Sequence, residues 1–463
     1  MKDFDLSGID AVLLAKYDRP GPRYTSYPTA PHFHEGFDNT AYRDRLTAVA
    51  SRVDDPLSMY VHIPFCEARC TYCGCNVVIS PHKGPEEAYL EAVEKELDLV
   101  AAALGDRRTL SQLHWGGGTP TYLSPAQCER LFNAITSRFP LAAGAEVALE
   151  IDPCVTSREH LGVLAGLGFN RLSMGVQDVD PDVQDAVCRD QPLELTKFHV
   201  DTARELGFQS VNVDLIYGLP RQTEAGFRTT VKTVVDELSP DRVACFSYAH
   251  VPWIKPHQNQ LDQAAMATGW DKFRIFAGAV EEFCGTGYRL VGFDHFARPG
   301  DELAVALDQG RLHRNFMGYT TMPATDQIGI GTTAIGDVGG AYVANQKNLA
   351  RYQRALADNR LPIERGLRRS QDDEQRGAVI RRLICTLKLD FAGLTRELGI
   401  DPRVAYADAL SELAPMVEDG LLEIDDRELR VTPRGRFFLR NACMPFDAYL
   451  KRPSDGPVYS RTV

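Results

Sequence analysis

Positive charge is scarce in this chain. Its 51 Lys and Arg stand against 63 Asp and Glu, a formal net charge of −12. Such a chain repels phosphate backbones, which argues against broad nucleic-acid binding. It has no run of about 18 uncharged apolar residues, so no transmembrane helix and no membrane partner are expected. Its opening, MKDFDLSGID, is too acidic and too poor in apolar residues to read as a secretion signal. The cysteines number 11, an odd count that suits reduced cytoplasmic thiols better than a disulfide framework. Tandem repeats and low-complexity tracts are missing as well.

What is present is a long chain of 463 residues with 44% hydrophobic composition, enough for about two or three domains. Residues 1–50 show little periodicity and many turn-formers. Arg19-Pro20-Gly21-Pro22 followed by Arg23-Tyr24-Thr25-Ser26-Tyr27-Pro28 reads as an extended arm. Beyond it, short apolar runs alternate with helical stretches. The strands expected are Ser58–Ile63, Leu110–Trp115, Glu146–Ile151, Arg171–Gly175, Val211–Tyr217 and Arg242–Phe246. The helices expected between them cover about 86–104, 124–138, 156–167, 194–207 and 223–238, several ending near glycine. This repetition argues for an α/β fold with a parallel sheet. The series carries no dinucleotide glycine fingerprint, which favours a partial (β/α)6 barrel over a Rossmann sheet. The catalytic unit with its extension is expected over 51–362. From 363 to 463 the chain turns Arg-rich and helical, with a strand pair Leu421–Ile424 and Leu429–Thr432 around Asp425-Asp426. That combination looks winged-helix-like. A packing or lid role is the plainer reading of it, and DNA contact the other.

Seven cysteines are scattered, and four cluster as Cys66, Cys70, Cys73 and Cys75. At this cysteine content, three thiols in one fixed spacing arise by chance about 0.006 times per chain. The cluster directly follows an apolar strand, on the kind of loop that carries active sites in βα barrels. A structural zinc would also accept four thiolates, although it usually takes paired Cys-x2-Cys knuckles far apart in sequence. A redox dithiol would want a Cys-x-x-Cys at a helix start, which is not evident here. An iron–sulfur cluster fits best. Three thiolates on a four-iron cube leave one iron open to an outside amine and carboxylate. S-adenosylmethionine offers both. Electron transfer into its sulfonium releases a 5′-deoxyadenosyl radical that can take hydrogen from an unactivated C–H.

In this pattern the chain resembles the radical S-adenosylmethionine superfamily. The added Gly74-Cys75, giving Cys-x3-Cys-x2-Cys-x-Cys, resembles the oxygen-independent coproporphyrinogen III oxidases within it. The likeness covers essentially the whole chain. It includes Arg23–Ala30, Trp115-Gly116-Gly117-Gly118-Thr119-Pro120-Thr121, Asp214–Pro220, Tyr248–Pro252, Asp294–Pro299 and His313–Tyr319.

The resemblance implies one [4Fe-4S] cluster on Cys66, Cys70 and Cys73, and two S-adenosylmethionine molecules. Gly117, Gly118 and Thr119 would bind the amino group and carboxylate of the first molecule. Glu150 and Tyr60 would contact it, and Ile335 would lie against its adenine. Gln177, Arg189 and Asp214, with Gly118, Thr119, Ala249 and a backbone contact near Ile216, would hold the second. Tyr72 would stand beside the adenine or the second molecule. The residue types agree with this. Glu150 closes a strand at the end that faces a barrel's site, and the planar fork of Arg189 suits a carboxylate. A fourth bound thiolate would block the open iron. Cys75 is therefore read as a catalytic thiol outside the ligand set, near the second cofactor or substrate, with simple packing as its alternative.

The implied substrate, coproporphyrinogen III, carries four propionates, two of which become vinyl groups with loss of CO2. Arg23, Arg298 and Arg314 are the candidate propionate clamps. The arm around Tyr24 and Tyr27 is expected to close over the ligand. An external electron donor and acceptor and a monomeric chain are further implications. Three alternatives stay open. Two are relatives that carry or degrade haem. The third is a zinc-bound DNA-binding protein built on the C-terminal module.

Overall fold

Period-two patterning decides which side of each strand meets the core. In β1 (Leu57–Ile63), Leu57, Met59, Val61 and Ile63 are fully buried in the main apolar cluster, while Ser58, Tyr60 and His62 take the other face. The structure, a computed structural model, describes residues 4–322, 326–451 and 459–462. Residues 1–3 of the expected arm, and 452–458 and 463 of the expected C-terminal region, lie outside the described residues.

Beside β1 run β2 (Leu110–Gly117), β3 (Leu141–Ile151), β4 (Arg171–Gln177), β5 (Ser210–Tyr217) and β6 (Arg242–Ser247), every neighbouring pair parallel. Helices Pro85–Leu104, Pro125–Thr136, Arg158–Leu167, Leu193–Glu205 and Glu224–Thr233 make the crossovers. Their limits follow local chemistry. Ser124 and Gln127 form a capping box around Pro125, Ser157 and His160 form another, and Gly168 ends its helix at φ 101°.

The sheet extends past both edges of this series. β7 (Arg289–Val291) and β8 (His295–Ala297) add antiparallel beyond β6, with β8 paired to it. On the other side β9 (Asp326–Ile330) pairs parallel with β1. β10 (Ile335–Val338), β11 (Ala341–Asn345) and β12 (Ile363–Arg368) then continue antiparallel. No pairing joins β7 to β12 among the described residues, so the curled sheet is a partial barrel.

The C-terminal region packs helix Gln371–Thr386 with β13 (Lys388–Asp390), β14 (Leu422–Ile424) and β15 (Glu428–Val431). Its apolar cluster, with Leu383, Phe391, Leu429 and Phe438, also takes in Tyr17, Tyr24 and Tyr27. The arm is thus built into this region instead of hanging free. The Tyr24 hydroxyl donates to Asp447 Oδ2 at 3.1 Å, and the Ala448 N–H donates to the Tyr27 hydroxyl at 3.0 Å. The stretch read as aperiodic also holds two helices, Ala11–Tyr17 and Asn39–Val49. In the second, Tyr42, Leu46 and Val49 fall at i, i+4 and i+7 and are buried.

The inner face of the parallel series is polar rather than filled by the branched apolar layers usual in barrels. Near the N-terminal ends of β3, β4 and β6 its charges pair off. Arg171 Nε lies 2.7 Å from Glu146 Oε2, and the same guanidinium pairs with Glu302. Arg242 continues the chain to Asp301 and Glu302 at 2.8 Å each.

Candidate active site

The C-terminal ends of the parallel strands deliver polar groups to one mouth. β1 brings Tyr60 and then the cysteine loop, β2 brings Gly116–Thr119, β3 Glu150, β4 Gln177 and β5 Asp214; Ala249 follows β6. Register sets their level: Tyr60 lies opposite His114, Ile63 opposite Gly117, and Gly175 opposite Asp214.

Backbone bonds fasten the cysteine loop. Phe65–Cys66 pairs with Val78–Ile79 at its base, and the Cys73 N–H donates to Cys70 O at 3.2 Å. The glycine segment is joined to it: Gly118 N–H donates to Ile63 O at 2.8 Å and Thr119 N–H to Phe65 O at 2.9 Å. Cys66 Sγ is 3.5 Å from Thr119 Oγ1. From the far side, His257 Nε2 lies 2.8 Å from Cys73 O, and Lys255 Nζ donates to Cys75 O at 2.9 Å.

The three glycines are needed for the protein's own close approaches. A Cβ on Gly116 would stand 2.8 Å from the Glu150 carboxylate. One on Gly117, where φ is +117°, would stand 2.6 Å from the His62 ring. One on Gly118 would stand 2.7 Å from the carbonyl oxygens of Pro64 and Phe65. The amides of Gly117 and Gly118 are engaged internally, so only the remaining polar edges of this segment face outward.

Glu150 accepts from Gly117 N–H at 3.1 Å and lies 3.3 Å from His114 Nε2. Burial pulls its pKa upward, but these partners outweigh burial and hold the carboxyl below the usual range. Asp214 goes the other way. Burial and the charge of Glu150 push it up to about 6, against hydrogen bonds from Asn212 at 2.7 Å and Ser173 at 3.3 Å.

Arg189 bridges both sets of residues. Its Nη1 reaches the Tyr72 hydroxyl at 3.3 Å and Cys70 Sγ at 3.6 Å. Its Nη2 donates to Gly175 O at 2.6 Å and pairs with Asp152 at 3.5 Å. Burial pushes the Cys66 thiol up to about 11 and raises Cys70 also. Cys73 is drawn down, first by hydrogen bonding from Cys75.

Every residue picked from the sequence for the cofactors reaches this mouth or its wall. Gln177 ends β4 after a bulge at φ 68°. Ala249 O and Tyr72 O share the amide of Gln258. Ile335 opens β10 beside Gly329, which lies opposite Tyr60. Cys75 is exposed, and it lines a cavity of ≈ 260 Å³ together with Lys255 and Lys347. Arg298 is the exception among the candidate clamps. Its guanidinium donates to Ser239 O and Pro240 O, just before the N-terminal end of β6, so it is a brace at the opposite end of the strand from the mouth.

Two residues escaped the sequence reading. The His62 ring lies 3.1 Å from the Tyr60 hydroxyl and 3.0 Å from Asn76 O. His114 stacks on Tyr60 with centroids 5.9 Å apart. Both sit on the inward face, and the alternation along β1 and β2 would have found them.

The donor set suits a [4Fe-4S] cluster. All eleven cysteines are unpaired, and the first three of the loop are half-buried at the strand mouth. Among the described residues no three His, Cys, Asp or Glu side chains gather around one point as a single zinc requires. A cluster whose thiolates each meet a different iron needs no such point.

A partial barrel with three such thiols after its first strand defines a radical S-adenosylmethionine protein. The Radical SAM superfamily model matches residues 60–234, and the HemN C-terminal domain model matches 370–438. The oxygen-independent coproporphyrinogen III oxidase of Synechocystis is 43% identical over 457 residues, covering 98% of both chains. The protein of that name in Escherichia coli is 43% identical, again over 98% of each. The solved structure of coproporphyrinogen III oxidase (HemN) from Escherichia coli, described as a radical SAM enzyme, superposes with a TM-score of 0.90. It is 41% identical and covers 97% of this chain and 100% of that one. The chain belongs to the oxygen-independent coproporphyrinogen III oxidase family. Among the described residues no helix is long and apolar enough to cross a membrane.

Proposed function

We propose that this chain converts coproporphyrinogen III to protoporphyrinogen IX without oxygen, in haem biosynthesis, as a cytoplasmic monomer served by an external electron donor and acceptor. The observation that supports this most is the joining of the three-thiol loop to a glycine segment that packs on Glu150, with Arg189 against Cys70 of the same loop, in a chain whose relatives bear that name over 98% of their length.

Bound at these residues, a [4Fe-4S] cluster and S-adenosylmethionine supply low-potential one-electron chemistry and, through it, a radical that abstracts hydrogen. Cys66, Cys70 and Cys73 hold the cluster. Glu150 stays ionised across the neutral range and takes the ammonium group of the first S-adenosylmethionine, alongside Gly117, Gly118 and Thr119. Tyr60 and Ile335 flank that molecule, and Tyr72 stands beside it. Gln177, Arg189, Asp214 and Ala249 hold a second one, with the Arg189 fork on its carboxylate. Each reacting propionate loses one hydrogen atom, one CO2 and one electron to become a vinyl group, and the electron leaves to the external acceptor. The polar walls orient the reacting C–H and keep water and oxygen away from it.

An anaerobic assay with coproporphyrinogen III, a reductant and S-adenosylmethionine tests the reading. Cys66→Ala and Cys73→Ala should lose both iron and turnover. Cys75→Ala should keep its iron and lose much of its turnover. Iron loss in Cys75→Ala would show that the ligand set is misassigned.

A further inference from the structure

Two residues below Tyr60, on the same face of β1, stands Ser58. It lines a cavity of ≈ 500 Å³, within the range of about 300–1,000 Å³ typical of small-molecule sites. Gln327 of β9, Asp337 of β10, the arm at Tyr24–Tyr27 and helix Gln371–Thr386 form its walls. Under β3, β4 and β6 this level of the barrel is filled by the ion chain of Glu146, Arg171, Glu302, Arg242 and Asp301.

The four arginines and four carboxylates around the chamber balance in number but are not paired one to one. Arg369 pairs with both Asp337 and Glu374, Arg382 pairs with Glu397, and Asp373 caps its own helix through Ser370. Every wall carboxylate therefore has a partner. Arg314 and Arg381 make no direct ion pair among the described residues, although Arg314 lies near enough to Asp294, and Arg381 to Asp337, to act on their charge. Arg314 lies over the rings of Tyr319 and Phe293, at 4.9 and 5.1 Å, which fixes the plane of its guanidinium. Its hydrogen bond to Arg23 O is long, 3.4 Å, and its Nε is buried without a partner. The Gln327 Oε1 is buried and unpartnered too. Arg381 is exposed, at the chamber's edge.

We infer that this chamber receives carboxylates of the tetra-anionic substrate on Arg314 and Arg381, which makes the C-terminal domain part of the substrate site. The inference rests on the function proposed above. It gives helix Gln371–Thr386 a recognition role, and it places the substrate's approach on the β1–β9 side, below Tyr60. The planar forks of two arginines suit propionates and discriminate against uncharged side groups.

The test is a fluorescence titration of the full, cluster-loaded chain with coproporphyrin III, the air-stable tetracarboxylate counterpart of the substrate. Arg381→Glu should weaken binding about tenfold or more, Arg381→Gln less, and Arg314→Gln by at least as much as Arg381→Gln. Arg403→Glu, the same charge change on a remote exposed arginine, should bind as wild type. Arg381 is exposed, so its variants should fold, and their iron content and melting temperature check this. Wild-type affinity in Arg381→Glu and Arg314→Gln would overturn the chamber and leave the function standing. A wild-type chain that neither binds the porphyrin nor converts coproporphyrinogen III would instead overturn the function.

Discussion

The two ends of the same parallel strands carry similar residues and treat them differently. At the N-terminal ends, Glu146, Arg171, Glu302, Arg242 and Asp301 alternate in sign along a continuous chain of ion pairs. At the C-terminal ends, Glu150 and Asp214 sit close enough for the charge of one to raise the pKa of the other. The first arrangement lowers the cost of burying charge. The second sets two carboxylates near one another, an arrangement that an incoming ammonium group relieves. One alternating pattern thus builds both a plug and a mouth, and what separates them is whether opposite charges alternate in a chain or like charges are held near one another.

The largest effect should come from the mouth's backbone. Gly118→Ala puts a methyl group 2.7 Å from two carbonyl oxygens, neither of which belongs to a flexible side chain. The cysteine loop and the glycine segment would have to separate. Overpacking of this kind costs about 1–3 kcal/mol, and here the strain falls directly on the cluster cage. Iron per chain after anaerobic reconstitution should fall steeply, and S-adenosylmethionine affinity with it. Full iron loading in Gly118→Ala would mean that the two segments are not coupled as their hydrogen bonds imply.

Arg171→Leu attacks the plug. It strands Glu146, leaves Glu302 to Arg242 alone, and should cost about 3 kcal/mol, the scale of breaking a largely buried pair from one side. Urea unfolding measures this. Iron content should be unchanged, because the loss lies at the end of the strands away from the mouth. A loss of iron equal to that in Gly118→Ala would erase the distinction between the two ends.

How far the sequence reveals this architecture depends on the range of the signal. The six parallel strands and their crossovers are legible because each is set by its own periodicity and caps. β2 runs two residues past its expected end, at Gly117, because the glycines continue the ladder beside Ile63. The cysteine loop is legible because its four cysteines fall within ten residues of sequence. Less visible are features set by distant partners. Strand β9, more than 260 residues after β1 and parallel to it, has no local mark of that pairing. Arg298 lies in a block that matches the family, but its carbonyl partners lie about 60 residues earlier. Helix Asn39–Val49 is masked by the charged residues between its three buried positions. Tyr24 and Tyr27 read as a mobile cover because nothing in the arm itself shows that Asp447 and Ala448 hold them.

The smallest effect should come from relieving one charge at the mouth. Asp214 has a pKa near 6 when folded, against an ordinary value of 3.8. Between these two values the folded state holds a proton that the unfolded state has released. Stability therefore falls as pH rises from about 4 to about 6, and the deficit persists above pH 6. Asp214→Asn removes the titrating group while keeping a carbonyl acceptor. It should stabilise the cofactor-free protein by about 1 kcal/mol at pH 7 and by little at pH 4. The wild-type decline in stability across that range should flatten. The same variant should bind S-adenosylmethionine less tightly at the second site proposed above. Paired urea titrations at pH 4.5 and 7 decide the matter. Equal stability differences at both values would mean that burial and the charge of Glu150 do not raise the Asp214 carboxyl, and the contrast between mouth and plug would then rest on the glycines alone.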